Sequence, residues 1–362
     1  MLGLRGFPGV EGGVEKHAEH LYPLLARAGC EVGVIVRRRY QAAGTWRGVR
    51  FHSLWAPSAS GVEAFVHSFL GVLLAAVKRP DILHIHAIGP AIMTPLARLL
   101  GLRVIVTHHG PDYDREKWGR GARALLRLGE RWGMRFAHHN IVISRVIRDL
   151  VWEKHQRRAT VIPNGVDLPL IPRETDRLEA FSLQAGRYVL LVSRLVPEKR
   201  HIDLIRAFSA AGMPGWKLAI VGAVDEGSAY CREVRDAASG SGGVVLTGFQ
   251  GGEALRQLYA HAGVFVLPSS HEGLPIALLE ALSYGIPVLA SDIPANLEVG
   301  LAPAQYFPLG DVDALAGKLR AVGAGEVAFD SPEAVRADIA RRYDWERIAR
   351  MTLAVYREVM GP

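Results

Sequence analysis

At 362 residues, 49% of them hydrophobic, the chain is long enough for about two domains, each able to bury a core. The composition is that of an ordinary globular protein without low-complexity tracts, and its two cysteines, Cys30 and Cys231, sit in different halves, which excludes a disulfide framework and fits a reducing compartment. The formal charge of +7 is uneven: residues 1–175 carry 25 Lys+Arg against 14 Asp+Glu, a net +11, and the rest carries −4, so the first half suits an anionic partner such as a nucleotide phosphate, a lipid phosphate, a membrane surface or nucleic acid.

The opening, Met1-Leu2-Gly3-Leu4, reads as the tail of a strand. An α/β domain normally opens with five or six apolar residues. Either the strand is short or the start is internal, and the edge of the first sheet is left open. Arg5, Pro8 and Glu11 interrupt the start, so no signal peptide is visible. Val14–Ala28 is predicted helical, with apolar residues at three-to-four spacing. Strands follow at Glu31–Val36 and Val49–His52. A helix over Gly61–Val77 contains the longest apolar run, Ala64–Val77, which at fourteen residues is short for a membrane span and fits a packed helix. Then come the strand Asp81–His86, a helix near Ala91–Leu100, the strand Arg103–Thr107, a helix over Lys117–Phe136 and the strand Asn140–Ile143. Thr160–Asp167 closes the first half. Pro169–Gln184 is polar and irregular and reads as a linker. The alternation restarts with strands Tyr188–Val192, Lys217–Val221, Val244–Leu246, Val264–Leu267 and Val288–Ala290. Helices are predicted near His201–Ala211, Ser228–Ala238, Gly252–His261, Pro275–Tyr284, Asp311–Val322, Pro332–Arg341 and Asp344–Met360. Strands alternating with helices mean two parallel, doubly wound, Rossmann-like halves.

The helix Lys117–Phe136 has two stripes. Trp118, Ala122, Leu125, Trp132 and Phe136 are apolar; Arg120, Arg123, Arg127, Arg131 and Arg135 are basic. One reading is a membrane-surface or lipid-phosphate contact. The other, which is preferred, is a core-facing stripe with a solvated charged face. No zinc-finger, RNA-recognition or helix-turn-helix signature supports nucleic-acid binding.

The most informative stretch runs from Ser269 to Gly285. It reads as a loop turning into a helix, with Gly273 at the turn and Pro275 at the first helical position, ended by Gly285 and Pro287. Its side chains are apolar nearly all round, so the helix should be buried, with Glu280 amid that surface and in need of a partner. Glu272 lies in the loop before it. Eight helical residues would separate the two acids by about 12 Å, which is about the reach from a sugar ring across a diphosphate to a ribose. The helix N-terminus between them offers N–H groups to a phosphate. The plainer alternative is a buried helix whose Glu280 pairs with a core arginine. Elsewhere, Gly12-Gly13 before the first helix would let a phosphate approach the backbone, or form an ordinary turn. Arg194 and Lys199, after the first strand of the second half, offer a planar fork and a point charge suited to a diphosphate.

The pattern Ser-x-x-Glu-Gly-x-Pro, then Glu-Ala-Leu-x-x-Gly-x-Pro-Val and Ala290-Ser291-Asp292, resembles the Glu-x7-Glu motif of family-four retaining glycosyltransferases. The resemblance spans nearly the whole chain and is most specific from Val264 to Pro294. It implies the GT-B fold: an acceptor-side domain over 1–168, a linker over 169–184, a nucleotide-sugar-binding domain over 185–342, and a final stretch over 343–362 crossing back to the first domain across a cleft. It implies that Glu272, Gly273, Leu274 and Pro275 meet the sugar and phosphate, that Glu280 takes the ribose, that Arg194 and Lys199 hold the diphosphate, and that Gly12 and Gly13 complete the phosphate site. Thr107-His108-His109-Gly110 resembles the family's Thr-x-His-Gly pattern, which puts His109 near the transferred sugar and leaves His108 the weaker candidate. Thr247-Gly248-Phe249 resembles the loop that meets the base, with a tight turn as the equal alternative, and Pro163–Asp167 resembles the segment that shapes the interdomain turn. The implied activity is retaining, metal-independent transfer of a hexosyl group from a nucleoside-diphosphate sugar to a saccharide or lipid-linked acceptor in cell-surface polysaccharide synthesis. No other cofactor, no metal and no nucleic acid are expected. The expected location is cytoplasmic, with peripheral contact at the inner membrane face through the basic first domain. The runners-up are a nucleotide-sugar epimerase or hydrolase on the same fold and a non-catalytic membrane-associated scaffold.

Overall fold

A computed structural model of the chain describes residues 1–10, 12–58, 62–114, 118–223 and 227–361. The expected helix starts at Gly61 and Lys117, and Glu11, lie outside the described residues. The chain forms two compact units, Met1–Gly165 with Tyr343–Pro362, and Val166–Arg342.

In the first unit, α1 (Gly13–Arg27) leads to β1 (Val32–Arg37), β2 (Gly44–Trp46), β3 (Val49–Leu54), α2 (Val62–Lys78) and β4 (Leu83–His86). Then come α3 (Thr94–Leu99), β5 (Val104–His108), α4 (Arg120–Phe136), β6 (His139–Val142), α5 (Arg145–His155) and β7 (Thr160–Val161). One sheet has the order β1-β3-β2 and the other β4-β5-β6-β7. All pairs are parallel except β2 with β3. The opening residues join these sheets. Ile35 N–H donates to the Met1 carbonyl, while Leu2 N–H donates to the His84 carbonyl and His86 N–H to the Leu2 carbonyl, each at 2.9 Å. The short opening segment is therefore central, between β1 and β4, which decides the sheet edge that the sequence left undecided. Gly3 makes that approach possible: at φ +116°, a Cβ there would lie 2.2 Å from the His86 carbonyl oxygen.

Several elements escaped the sequence reading. The edge strand β2 has three residues, too few for a period to show. Helix α5 is masked by its charges, although Ser144 Oγ caps it by accepting from Ile147 N–H at 3.3 Å, and only Ile147 and Val151 are buried along it. In the second unit a helix at Asp176–Glu179 lies inside the stretch expected to be an irregular linker, and a helix at Pro294–Leu297 and a strand at Tyr306–Phe307 are short.

The expected core-facing stripe of α4 is corrected. Leu125 and Phe136 are exposed, and the buried face is Gly129, Glu130, Gly133 and Met134. The two glycines allow close approach to the turn at Pro90–Met93, since a Cβ on Gly129 would lie 2.2 Å from the Ile88 carbonyl oxygen and one on Gly133 would lie 2.7 Å from Ala91 Cβ. Backbone proximity, not side-chain hydrophobicity, seats this helix.

The second unit opens with α6 (Asp176–Glu179) and β8 (Tyr188–Val192), followed by α7 (His201–Ala211), β9 (Lys217–Val221), α8 (Ala229–Ser239) and β10 (Val244–Gly248). It continues with α9 (Gly252–Ala260), β11 (Val264–Leu267), α10 (Ile276–Ser283), β12 (Val288–Ser291), α11 (Pro294–Leu297), β13 (Tyr306–Phe307), α12 (Val312–Gly323) and α13 (Pro332–Tyr343). Its parallel sheet has the order β10-β9-β8-β11-β12-β13. Gln257 on α9 ties down α6, accepting from Arg177 N–H at 3.0 Å and donating to Asp176 at 2.8 Å. The last helix, α14 (Trp345–Met360), returns to the first unit and packs on α1. Its buried face, Ile348, Ala349, Thr352 and Val355, has helical spacing. Ile348, Ala349 and Val355 join the core that also holds Leu21 and Leu25 of α1.

Gly129→Ala should destabilise the first unit by about 1–3 kcal/mol through overpacking. Gly121→Ala on the same helix faces open space and should gain about 0.5–1 kcal/mol. Thermal denaturation of the two variants checks the contrast; equal shifts would remove the close-approach account of α4.

Candidate functional site

In the second unit the chain runs outward from β8 through β9 to β10, then jumps back to β11 on the other side of β8. A ligand crevice opens at such a switch point, at the carboxyl ends of the strands. The loops leaving β8 and β11 meet there. The Glu198 carbonyl accepts from Ser270 N–H at 2.9 Å and from Ser270 Oγ at 3.3 Å. Next to this joint Lys199 Nζ donates to Glu272 Oε1, with the two side chains only 16% and 11% exposed. Lys199 ends the turn Pro197–Lys199, which closes on Arg200 in the left-handed region at φ 52°. Arg194, in the same loop, is exposed. Behind the loop, Ser193 Oγ bonds His201 Nε2 at 2.9 Å. Burial, aided by the Lys199 charge, lowers the His201 pKa to about 3, so its ring is neutral. Gly222, after β9, must be glycine, because a Cβ would lie 2.0 Å from the Ser193 carbonyl oxygen.

Helix α10 is capped by Pro275, one residue earlier than the expected role for that proline. Leu278, Leu279, Ala281 and Leu282 are buried, but Ile276, Ala277 and Glu280 form a half-buried face. This corrects the expectation of an all-round buried helix. The first-turn N–H groups of Ala277 and Leu278 have no carbonyl one turn back within the helix. Glu280 Oε2 accepts from the Tyr259 hydroxyl of α9 at 3.1 Å. Tyr259 is buried and its ring stacks on Tyr284, centroids 5.2 Å apart. Burial and the Glu280 charge raise the Tyr259 pKa well above 10, so it stays a donor. Sequence reasoning asked for a partner to Glu280 but did not find this tyrosine. Thr247, Gly248 and the exposed Phe249 stand at the end of β10.

The first unit carries the remaining candidates. Gly12 caps α1 at φ 145°, and Gly13 begins it. The Glu15 carboxylate covers this start: Arg5 N–H and Nε donate to its Oε1 at 3.2 and 3.0 Å. A Cβ on Gly12 would lie 2.1 Å from Glu15 Oε2. The two strand-end histidines face different partners. His108 is buried and bonds Glu130 Oε1 at 2.8 Å, while Tyr113 donates to the same carboxylate at 3.0 Å. Burial pushes the Glu130 carboxyl up, but the hydrogen bond from His108 and the neighbouring His155, 3.3 Å away, outweigh it and hold the pKa well below the carboxylate range. His108 is therefore structural. His109 turns the other way, and its Nε2 bonds His86 Nδ1 at 2.9 Å. His86 Nε2 bonds the Tyr22 hydroxyl at 2.6 Å, which reaches His84 at 3.3 Å. The His84 ring also bonds Tyr356 of α14 at 2.7 Å and Thr107 at 2.7 Å. His17 of α1 adds an edge-on ring 5.2 Å from His109. Burial, then the neighbouring imidazoles, hold His86 and His109 well below their ordinary pKa. This neutral relay was not foreseen, though His84 and His86 two apart on a strand must share a face. Among the described residues no group of three His, Cys, Asp or Glu is arranged to hold a metal ion.

These depressed imidazoles set a pH dependence. Below its ordinary pKa of 6.5 the unfolded chain takes up protons that the fold refuses. Stability is therefore complete above that value and lost as pH falls toward the folded value, about 4 for His17. The slope is about 1.4 kcal/mol per pH unit for each such group. Urea midpoints measured from about pH 7 down to about pH 5 should fall continuously, and a flat profile would mean that the rings are not held neutral.

Residues 11–169 match Glycosyltransferase Family 4, and residues 173–326 match Glycosyl transferases group 1. The 2-deoxystreptamine N-acetyl-D-glucosaminyltransferase of Streptomyces fradiae is 28% identical over 335 residues, covering 83% of this chain and 78% of that protein. The GDP-mannose:cellobiosyl-diphosphopolyprenol alpha-mannosyltransferase of Komagataeibacter xylinus is 26% identical over 309 residues, covering 78% of this chain and 72% of that protein. In fold, the chain resembles sucrose-phosphate synthase from Thermosynechococcus elongatus, with a TM-score of 0.83 at 21% identity over 96% of this chain and 94% of that one. The two α/β units, the returning α14 and these matches lead to one conclusion: the chain is a glycosyltransferase of the GT-B fold, related to the family-four and group-one glycosyltransferases.

Proposed function

We propose that the protein is a retaining, metal-independent transferase that moves a hexosyl group from a nucleoside-diphosphate sugar to a saccharide or lipid-linked acceptor in cell-surface polysaccharide synthesis. The observation that carries the donor assignment is the meeting of Lys199 and Glu272 at the switch point of the second sheet. In this reading residues 185–342 hold the donor and residues 1–168 the acceptor, joined through 169–184, with 343–362 completing the first domain. Arg194 and Lys199 take the diphosphate, with the N–H groups at the start of α10 beside Gly273, Leu274 and Pro275. Glu280, held by Tyr259, takes the ribose hydroxyls. A phosphate arriving at Lys199 competes for its ammonium group, which leaves the Glu272 carboxylate to accept from the sugar hydroxyls. Gly12 and Gly13 add backbone donors to the phosphate site, and His109 contacts the sugar.

The chemistry asked of these groups is modest. The bond from C1 of the sugar to the phosphate oxygen breaks, and a bond from C1 to the acceptor oxygen forms on the same face. The acceptor's proton leaves on the departing phosphate. Fixed positive groups on that phosphate stabilise the charge as it grows. A neutral His109 donates or accepts a hydrogen bond without adding charge beside a cationic sugar. The likeness to an enzyme whose name specifies a nucleotide-sugar donor and a diphosphopolyprenol-linked acceptor supports a lipid-linked acceptor here. The basic first half supports peripheral contact with the inner face of a membrane.

Glu272→Ala and Lys199→Ala should each lower transfer about 10²–10³-fold while the circular dichroism spectrum is kept. Near-normal turnover in either variant would remove the assigned roles. Tyr259→Phe should raise the KM for the donor more than it lowers kcat, because it loosens Glu280 without touching the reacting carbon. Thermal shift with UDP-, GDP- and ADP-sugars identifies the base.

A further inference from the structure

Helices α2, α3 and α4 form one layer of the first unit, with α3 packed against both of the others. The outward face of this layer is not what a solvated surface requires. On α2, Val62, Phe65, Phe69, Leu73 and Val77 form a single stripe at three-to-four spacing, each between 39% and 80% exposed. Leu99 at the end of α3 is 85% exposed, and Leu125 and Phe136 of α4 stand out of the same layer. The α2 stripe alone runs about 25 Å along a seventeen-residue helix. Contiguous apolar surface of this kind marks an interaction site.

The exposed charges on these three helices have one sign. The acids of these three helices are Glu63 and Glu130. Glu63 is paired with Arg37 at 3.1 Å, and Glu130 is buried. The exposed charges of the layer are Lys78, Arg98, Arg120, Arg127, Arg131 and Arg135. On α4, Arg127, Arg131 and Arg135 lie along one side, next to the ridge of Leu125, Leu128, Trp132 and Phe136.

We infer that the α2–α3–α4 face docks on a lipid bilayer containing anionic headgroups. The aliphatic and aromatic stripe enters the headgroup boundary, and the arginines lay their stems along it with their guanidinium groups at the lipid phosphates. A layer whose exposed apolar side chains run in stripes along its helices, and whose own exposed charges are all cationic, suits a fluid anionic plane better than a protein surface, which needs pockets to receive side chains. The inference specifies the face behind the membrane contact proposed above and rests on that reading only for its purpose, which is to hold the enzyme where a lipid-linked acceptor lies.

Flotation of the full chain with vesicles tests it. The chain should float with vesicles of equal parts phosphatidylcholine and phosphatidylglycerol and remain soluble with phosphatidylcholine alone. Added salt should weaken the binding. Arg131→Glu and Arg135→Glu should each lower the partition at least about fivefold. Phe65→Ser with Phe69→Ser should lower it at every salt concentration. Transfer to a lipid-free oligosaccharide acceptor should be retained in all of these variants; that assay judges the enzymatic reading separately from the docking face. The inference is overturned if the wild-type chain stays soluble with both vesicles, if the variants float as it does, or if it captures only an acidic protein and no vesicle.

Discussion

A single carbonyl joins the two loops on which the second unit's site depends. Glu198 O accepts both the amide and the hydroxyl of Ser270, and so fixes the loop after β8 against the loop after β11. The sheet order brings these loops side by side, because the chain leaves β8 in one direction and returns on its other side. Backbone groups beyond the sheet end have no strand neighbour, and here two of them find partners across the loops. Once the loops are joined, the Lys199 ammonium and the Glu272 carboxylate are brought into contact away from most solvent. Two opposite charges held so nearly dry are tolerable only as a pair. In the proposed reading, an anionic ligand redistributes this electrostatic arrangement instead of building one anew.

The first unit solves a different problem. It brings several imidazoles together in its interior, where charged rings would repel and lose their hydration. Burial keeps them neutral, and neutral rings are able to donate at one nitrogen and accept at the other. A hydrogen-bonded run from His109 through His86 and Tyr22 to His84 and Tyr356 results. It fixes the orientation of His109 from behind. It also ties α14 to the centre of the sheet, so the last helix of the chain supports a residue of the candidate site.

Helix α4 shows how one element serves two surfaces. Glycines at Gly129 and Gly133 let its backbone press on the turn beneath, with Glu130 between them as the buried acceptor for His108 and Tyr113. The larger apolar residues are thereby free for the outside. A helix seated by its glycines does not need its leucines and aromatics for packing, and the same displacement occurs along α2.

Much of this was legible in the chain. The alternation of strand and helix, the restart after the first half, the Glu-x7-Glu spacing and the strand-end positions of Arg194, Lys199 and His109 follow from periodicity, turn residues and resemblance, all of which are local. The expected helix positions of α7 and strands β8 and β9 agree with the structure residue for residue. Short edge elements such as β2 and β13 fell below the length at which a period exists. The centrality of Met1–Leu4, the outward stripe of α4, the half-open face that carries Glu280 and the tyrosine that holds it were decided only by tertiary structure. Each depends on which backbone approaches which, and that proximity between distant residues leaves no trace in the spacing along either segment.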